Sequence, residues 1–187
     1  QAARDVQFGI PGFEDEQKRA IAATIGDVRI VNLYVVNGQA VGSEKYDYKL
    51  RWIDAVHGWL AGEIKANPNL VVLGDFNIAP DDRDVHDPAV WNDESILTST
   101  AERAALRRLE ALGLHDSFRL HNEEGGQFSW WDYRAAGLRR NLGLRIDLVL
   151  VSEALRGAVS SCVIDKLPRK NERPSDHAPV MAELNLA

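Results

Sequence analysis

The chain of 187 residues has a single cysteine, Cys162, so no disulfide can close within it, and a reducing, cytoplasmic setting is expected. Cys162 lies in an apolar run, which points to a buried, inert thiol rather than a nucleophile. No apolar run approaches the roughly 20 residues that span a bilayer, and no membrane partner is expected. The opening Gln1-Ala2-Ala3-Arg4-Asp5 lacks the apolar core of a signal peptide. Internal repeats, low-complexity tracts and linkers are missing too, so residues 1–187 are expected to form one domain. Positive charge is in deficit: 22 Lys and Arg face 28 Asp and Glu, a net charge of -6. That excludes a protein that coats nucleic acid by bulk attraction, but not an enzyme with an acidic pocket and a local basic rim. Arg134, Arg139, Arg140 and Arg145 cluster around Trp130-Trp131-Asp132-Tyr133 and offer such a rim, with a solvated loop as the equal alternative.

What is present reads as alternating strands and helices. Ile21–Ile25 and Val28–Val36 form a hairpin across Gly26-Asp27. Tyr46, Leu50, Ile53, Val56, Leu60 and Ile64 recur at helical spacing from Glu44 to about Ala66, with Ser43 as N-cap and Asn67-Pro68 as the stop. The continuous run Leu70–Leu73 suits a strand buried on both faces. The Asp- and Pro-rich residues 78–98 read as a long surface loop. Ser99 and Glu102 form a capping box for a helix through Leu112, closed by Gly113. Gln127–Trp131, Arg145–Val151, Ala158–Ile164 and Pro179–Leu184 read as further strands. The mix predicts a layered α/β sandwich.

Three polar clusters sit at or beside apolar runs: Gly74-Asp75-Phe76-Asn77, Asp147 within Arg145–Val151, and Ser175-Asp176-His177-Ala178-Pro179. An acidic pocket with one imidazole suits a hard divalent cation and phosphodiester hydrolysis. Taken singly, each cluster has a bland reading. Asp and Asn are common turn formers, and a lone histidine is usually a surface or satisfied core residue. Asp147, flanked by Ile146 and Leu148, needs a partner because burying a bare carboxylate is costly. His177 is one candidate, and Arg145 or another arginine is an equally good one.

The order Asn32-Leu33-Tyr34, Gly74-Asp75-Phe76-Asn77, Phe128-Ser129-Trp130-Trp131-Asp132-Tyr133, Asn141-Leu142-Gly143-Leu144-Arg145-Ile146-Asp147 and Ser175-Asp176-His177 resembles the exodeoxyribonuclease III family of abasic-site endonucleases. These belong to the endonuclease/exonuclease/phosphatase superfamily. The resemblance implies a sandwich of two mainly antiparallel sheets flanked by helices. It departs in two places: Val36 stands where the family often has proline, and nothing in residues 1–33 matches the family's N-terminal Asn and Glu. The chain therefore reads as lacking the family's N-terminal part. The first sheet is expected to be incomplete, with the hairpin of residues 21–36 short of a neighbour, and self-association or binding of the missing segment is the expected consequence.

By resemblance, Tyr34, Asp75, Asn77, Asp147 and His177 are catalytic, with Asp147 fixing the His177 ring. Asp75, Asn77 and Asp176 would ligate Mg²⁺ or Mn²⁺. Trp130, Leu144 and Ile146 would line the pocket for a flipped-out abasic sugar, or serve simply as core. Arg134, Arg139 and Arg140 would contact the backbone of double-stranded DNA carrying abasic sites or 3′ ends. The implied activity is DNA repair hydrolysis, exonucleolytic from 3′ ends and endonucleolytic 5′ to abasic sites, impaired by loss of the family's Glu. The alternatives are a superfamily phosphatase acting on an inositol phosphate or phospholipid, and a noncatalytic nucleic-acid-binding fragment.

Overall fold

The computed structural model describes residues 1–186. In chain order they form β1 (Ala3–Phe8), β2 (Ala20–Ile25), β3 (Val28–Tyr34), α1 (Glu44–Ala66), β4 (Leu70–Asp75), α2 (Thr100–Glu110) and β5 (Leu114–Asp116). Then follow β6 (Trp130–Trp131), α3 (Gly137–Arg140), β7 (Gly143–Leu144), β8 (Asp147–Ser152), α4 (Glu153–Arg156), β9 (Val159–Ile164) and β10 (Val180–Leu184). A six-stranded sheet has the order β1-β2-β3-β4-β8-β5, antiparallel except for the parallel pair β3–β4. The pairs β9–β10 and β6–β7 make smaller antiparallel ladders.

Pleating divides the large sheet into two apolar faces. One presents Val31, Leu33, Leu70, Val72, Leu148 and Leu150 to helices α1 and α2, which answer with Trp52, Ile53, Val56, Leu60, Leu106 and Leu109. The other packs Val71, Val149 and Val151 against Val159 of β9 and Val180, Ala182 and Leu184 of β10. Leu60 has no exposed surface, and truncating it to alanine is expected to cost about 2–5 kcal/mol. The Ser43 hydroxyl accepts from Tyr46 N at 3.2 Å and starts α1. The Ser99–Glu102 capping box forms as the sequence indicates, although α2 stops at Glu110. Gly113, with φ +94°, takes the left-handed turn after it.

Gly74 is required by close approach. A Cβ there would lie 1.9 Å from Leu33 O on the neighbouring strand. The glycine lets β3 and β4 stay paired up to the sheet edge where the polar residues begin.

Several expectations are corrected. The polar opening segment is strand β1, held by backbone pairing to β2 and by Arg4 Nη2 donating to Gly26 O at 2.7 Å. An edge strand with almost no buried side chain carries no apolar alternation to read. The hairpin of residues 21–36 therefore has a strand on each side, β1 and β4, and the smaller main sheet is β9–β10. The hairpin's second strand ends at Tyr34, where β4 also reaches its last residue, Asp75, and a final bond from Val35 N–H to Asp75 O at 2.8 Å closes the pairing. Of Gln127–Trp131, only Trp130 and Trp131 join a ladder.

Candidate active site

Sheet register assembles the site. Tyr34 of β3 pairs across from Asp75 of β4, and Asp75 pairs across from Asp147 of β8. Three strand ends thus place a phenol and two carboxylates in one row. Backbone bonds fix the level of that row: Ser129 Oγ accepts from the N–H groups of Ile146 at 3.0 Å and Asp147 at 3.1 Å.

The fourth member arrives from the loop before β10. Trp130 bridges to His177, Trp131 N donates to Asp176 O at 3.0 Å, and Ala178 N donates to Ser129 O at 2.7 Å. His177 Nδ1–H is thereby aimed at Asp147, 2.8 Å from Oδ2 and 3.1 Å from Oδ1. This is the expected dyad; Arg145 instead turns to Asp84 and Asp116. The carboxylate holds the ring in one tautomer and leaves Nε2 free of that bond.

Asn77 sits at φ 48°, a left-handed conformation that asparagine tolerates. Its backbone N–H donates to Asp75 Oδ1 at 2.8 Å, and its Nδ2 donates to Asp75 Oδ2 at 3.0 Å and Val35 O at 2.9 Å. Behind it lies Lys49, without exposed surface, donating to Asn77 O at 2.7 Å and Asn37 O at 3.1 Å and paired with Glu102. Sequence reasoning missed Lys49, since a lysine beside a helical apolar stripe ordinarily reads as solvated.

Charge is unevenly spread. Burial, then the neighbouring Asp147 carboxylate, pushes Asp75 up to about 6. For His177, burial favours the neutral ring but is outweighed by the Asp147 hydrogen bond and the charges of Asp147, Asp75 and Asp176, so its pKa is raised. His177 and Lys49 pull Asp75 the other way, but more weakly than burial and Asp147 push it up. Asp75, Asp147 and His177 offer ligand atoms within 4.8 Å of one another, and this donor set of hard oxygens and one imidazole fits a divalent cation. Asp176 stands outside that group, and its Oδ2 accepts from Trp130 Nε1 at 2.9 Å.

The row opens into a cleft of about 700 Å³, whose walls include Tyr34, Asn77, His86, Trp91, Trp130 and Ile146. Arg134 stands at its rim, with Arg139 and Arg140 exposed on the adjoining α3. Of the expected pocket residues, Trp130 and Ile146 face the cleft. Leu144 does not: it is fully buried beneath Trp130 with Val85 and Leu97, because its strand pairs directly with β6. His86 and Trp91, from the 78–98 loop, were not singled out. A lone tryptophan in a polar loop was the signal available.

Strands converging on a carboxylate row with a histidine–aspartate dyad define a phosphohydrolase of the layered α/β type. The chain belongs to the endonuclease/exonuclease/phosphatase family, whose model matches residues 5–177, and within it to the exodeoxyribonuclease III type of DNA repair nuclease. It is 37% identical to exodeoxyribonuclease III of Haemophilus influenzae over 98% of this chain and 73% of that protein. Among solved structures, the 3′ phosphatase NExo from Neisseria, bound to a product DNA hairpin, superposes with a TM-score of 0.97 at 46% identity, covering 99% of this chain and 72% of that one. An AP endonuclease from Archaeoglobus fulgidus gives 0.94 at 31% identity, covering 99% of this chain and 72% of that one. The family's nucleases are metal-dependent, in keeping with the acidic group.

Proposed function

We propose that this chain, as one domain, hydrolyses phosphodiesters of double-stranded DNA at 3′ ends and 5′ to abasic sites. The observation that carries the reading is the row Tyr34–Asp75–Asp147, completed by His177 and opening onto a cleft walled by Trp130 and Ile146. Tyr34 is 48% exposed at the mouth and is free to hydrogen-bond a phosphate oxygen. Asp75, ionised above pH of about 6, accepts a proton from the attacking water or orients it. Asn77 holds Asp75 in place through its N–H and Nδ2. His177, whose protonated form is favoured by the Asp147 hydrogen bond and the surrounding carboxylates, presents Nε2 to the phosphoryl oxygens and donates to them when protonated. Asp75, with Asn77 and Asp176 alongside, would hold Mg²⁺ or Mn²⁺, which would supply Lewis-acid stabilisation of the phosphoryl charge. Trp130 and Ile146 exclude a stacked normal nucleotide and admit an abasic sugar. Arg134, Arg139 and Arg140 bind the DNA backbone.

The compartment is the cytoplasm in this reading, and no helix among the described residues is long and apolar enough to cross a membrane. Phe8 and Ile21, exposed and opposite one another on β1 and β2, are the proposed route to self-association, read by light scattering.

The test is cleavage of a duplex carrying one abasic site, a duplex with a recessed 3′ end, and an inositol phosphate, each with Mg²⁺, Mn²⁺ or chelator. Metal-dependent cleavage of DNA alone is expected. Release of phosphate from the inositol compound, with DNA untouched, would replace this reading with the phosphatase one.

A further inference from the structure

A second cationic segment lies across the dyad from Arg134. It follows β9 and runs from Asp165 to Arg173, with a 3₁₀ turn at Leu167–Lys170. Its cations are Lys166, Arg169, Lys170 and Arg173, and Lys170 and Arg173 are exposed.

The segment is fastened to the site. Arg169 is 6% exposed, and its guanidinium lies 5.9 Å from the Trp131 ring centroid and 5.6 Å from that of Tyr133. Lys166 Nζ lies 5.4 Å from the Trp131 centroid. Tyr133 Oη donates to Pro174 O at 2.7 Å. Trp131 and Tyr133 belong to the stretch that leads from His177's neighbour Trp130 to Arg134, so one aromatic pair anchors both basic segments. Pro168 shares a second cleft, of about 420 Å³, with Asp75, Asp147 and His177. The dyad is therefore flanked by Arg134 in one cleft and by this segment in the other.

Its charge is not neutralised from within. Among the described residues, no carboxylate forms a salt bridge with Lys166, Arg169, Lys170 or Arg173. Arg169 Nε and Nη1 are buried without a hydrogen-bond partner, their charge resting on aromatic faces. The segment's own carboxylates, Asp165 and Glu172, leave it with two more cations than anions, and Asp165 Oδ1 is turned to the backbone, accepting from Leu167 N at 2.9 Å. Unpaired cations held beside a phosphodiesterase site match the spaced phosphates of a strand that continues past the scissile bond.

We propose that Asp165–Arg173 is a second DNA-binding rim, with Lys166, Lys170 and Arg173 contacting backbone phosphates on the side of the scissile bond opposite Arg134. This rests on the reading of the chain as a DNA nuclease. Arg169 is its anchor, fixing the turn against Trp131 and Tyr133 rather than meeting the phosphates itself.

The experiment measures binding of a fluorescent duplex by anisotropy over a salt series, in chelator so that no cleavage occurs. The chains compared are the parent, the triple variant Lys166→Gln/Lys170→Gln/Arg173→Gln, the single variant Lys170→Gln, and Arg108→Gln as a distant exposed cation. Each phosphate contact contributes about 0.9 to the slope of log K against log salt. The triple variant is expected to flatten the slope by about 2–3 and to bind about tenfold or more weakly at low salt; Lys170→Gln should flatten it by about 1. Arg108→Gln should match the parent. A parent that binds with a steep slope, beside triple and single variants with the same slope, overturns the rim while leaving the nuclease reading standing. A parent with no salt-dependent binding of duplex overturns both.

Discussion

Two carboxylate clusters at the same end of the large sheet have opposite fates. Asp84 is fully buried and surrounded by cations: Arg119 Nη2 donates to it at 2.5 Å and Arg145 Nε at 2.6 Å, while Arg145 also reaches Asp116 at 2.7 Å. Arg145 is itself 1% exposed. Here two acids and two bases cancel, and their bonds tie the 78–98 loop to the sheet. Asp147, Asp75 and Asp176 share one imidazole, remain partly exposed, and do not cancel. Balanced charge marks the part of the fold that holds shape. Unbalanced charge, kept at the sheet edge, marks the part available to a cation and a phosphate.

The largest expected effects test that division. Replacing His177 by alanine, or Asp147 by asparagine, should lower kcat on abasic duplex by about 10²–10⁴-fold while leaving the thermal midpoint close to that of the parent. Asp84→Ala should do the reverse. It strands Arg119 and Arg145 in the interior and should cost about 3–5 kcal/mol in urea unfolding, with kcat per folded molecule little changed. A stable Asp84→Ala chain that has lost activity would break the comparison, because the cluster would then belong to the chemistry.

The active-site row was legible because each member stands at or beside an apolar strand. Asp147, flanked by Ile146 and Leu148, announced a partner, though residue types alone left histidine and arginine equal. The register of β3, β4 and β8 decides it by carrying the acid to the sheet edge where His177 arrives. What was not legible lacked a periodic signal. Strand β1 is nearly all exposed, and β5 is three residues long. Lys49 is buried because the loop before it and the turn at Asn77 turn backbone carbonyls inward, which no helical pattern records. Leu144 was placed in the pocket by analogy of position, but its two-residue ladder with β6 puts it underneath.

A smaller effect sharpens the contrast through pH. Asp75 has a folded pKa of about 6 against an ordinary 3.8, so between those values the folded chain holds a proton that the unfolded chain has released. Stability conferred by that proton is lost as pH rises through the window. His177 acts in the same direction: its raised pKa contributes stability that is complete below its ordinary 6.5 and disappears as pH climbs through the higher folded value. Asp75→Asn should therefore raise stability at pH 7, by at most about 3 kcal/mol, and flatten the decline between pH 4 and 6. Calorimetric midpoints across that range are the check. Saturating Mg²⁺ should substitute for the lost proton in the parent and narrow the difference between parent and variant.

The smallest expected effect asks whether pairing or burial gives the Asp84 cluster its weight. Arg108 on α2 and Asp54 on α1 meet at 2.7 Å, the same separation as Arg145 and Asp116. Their side chains are 53% and 57% exposed, so water already solvates both charges and removing either leaves nothing stranded. A double-mutant cycle with alanine at both positions should give a coupling of about 0.2–1 kcal/mol, fading in high salt. The same cycle at Arg145 and Asp116, with side chains 1% and 8% exposed, should give several times more. Equal couplings at the two pairs would mean that contact distance, and not exclusion of water, sets the strength of ion pairs in this fold.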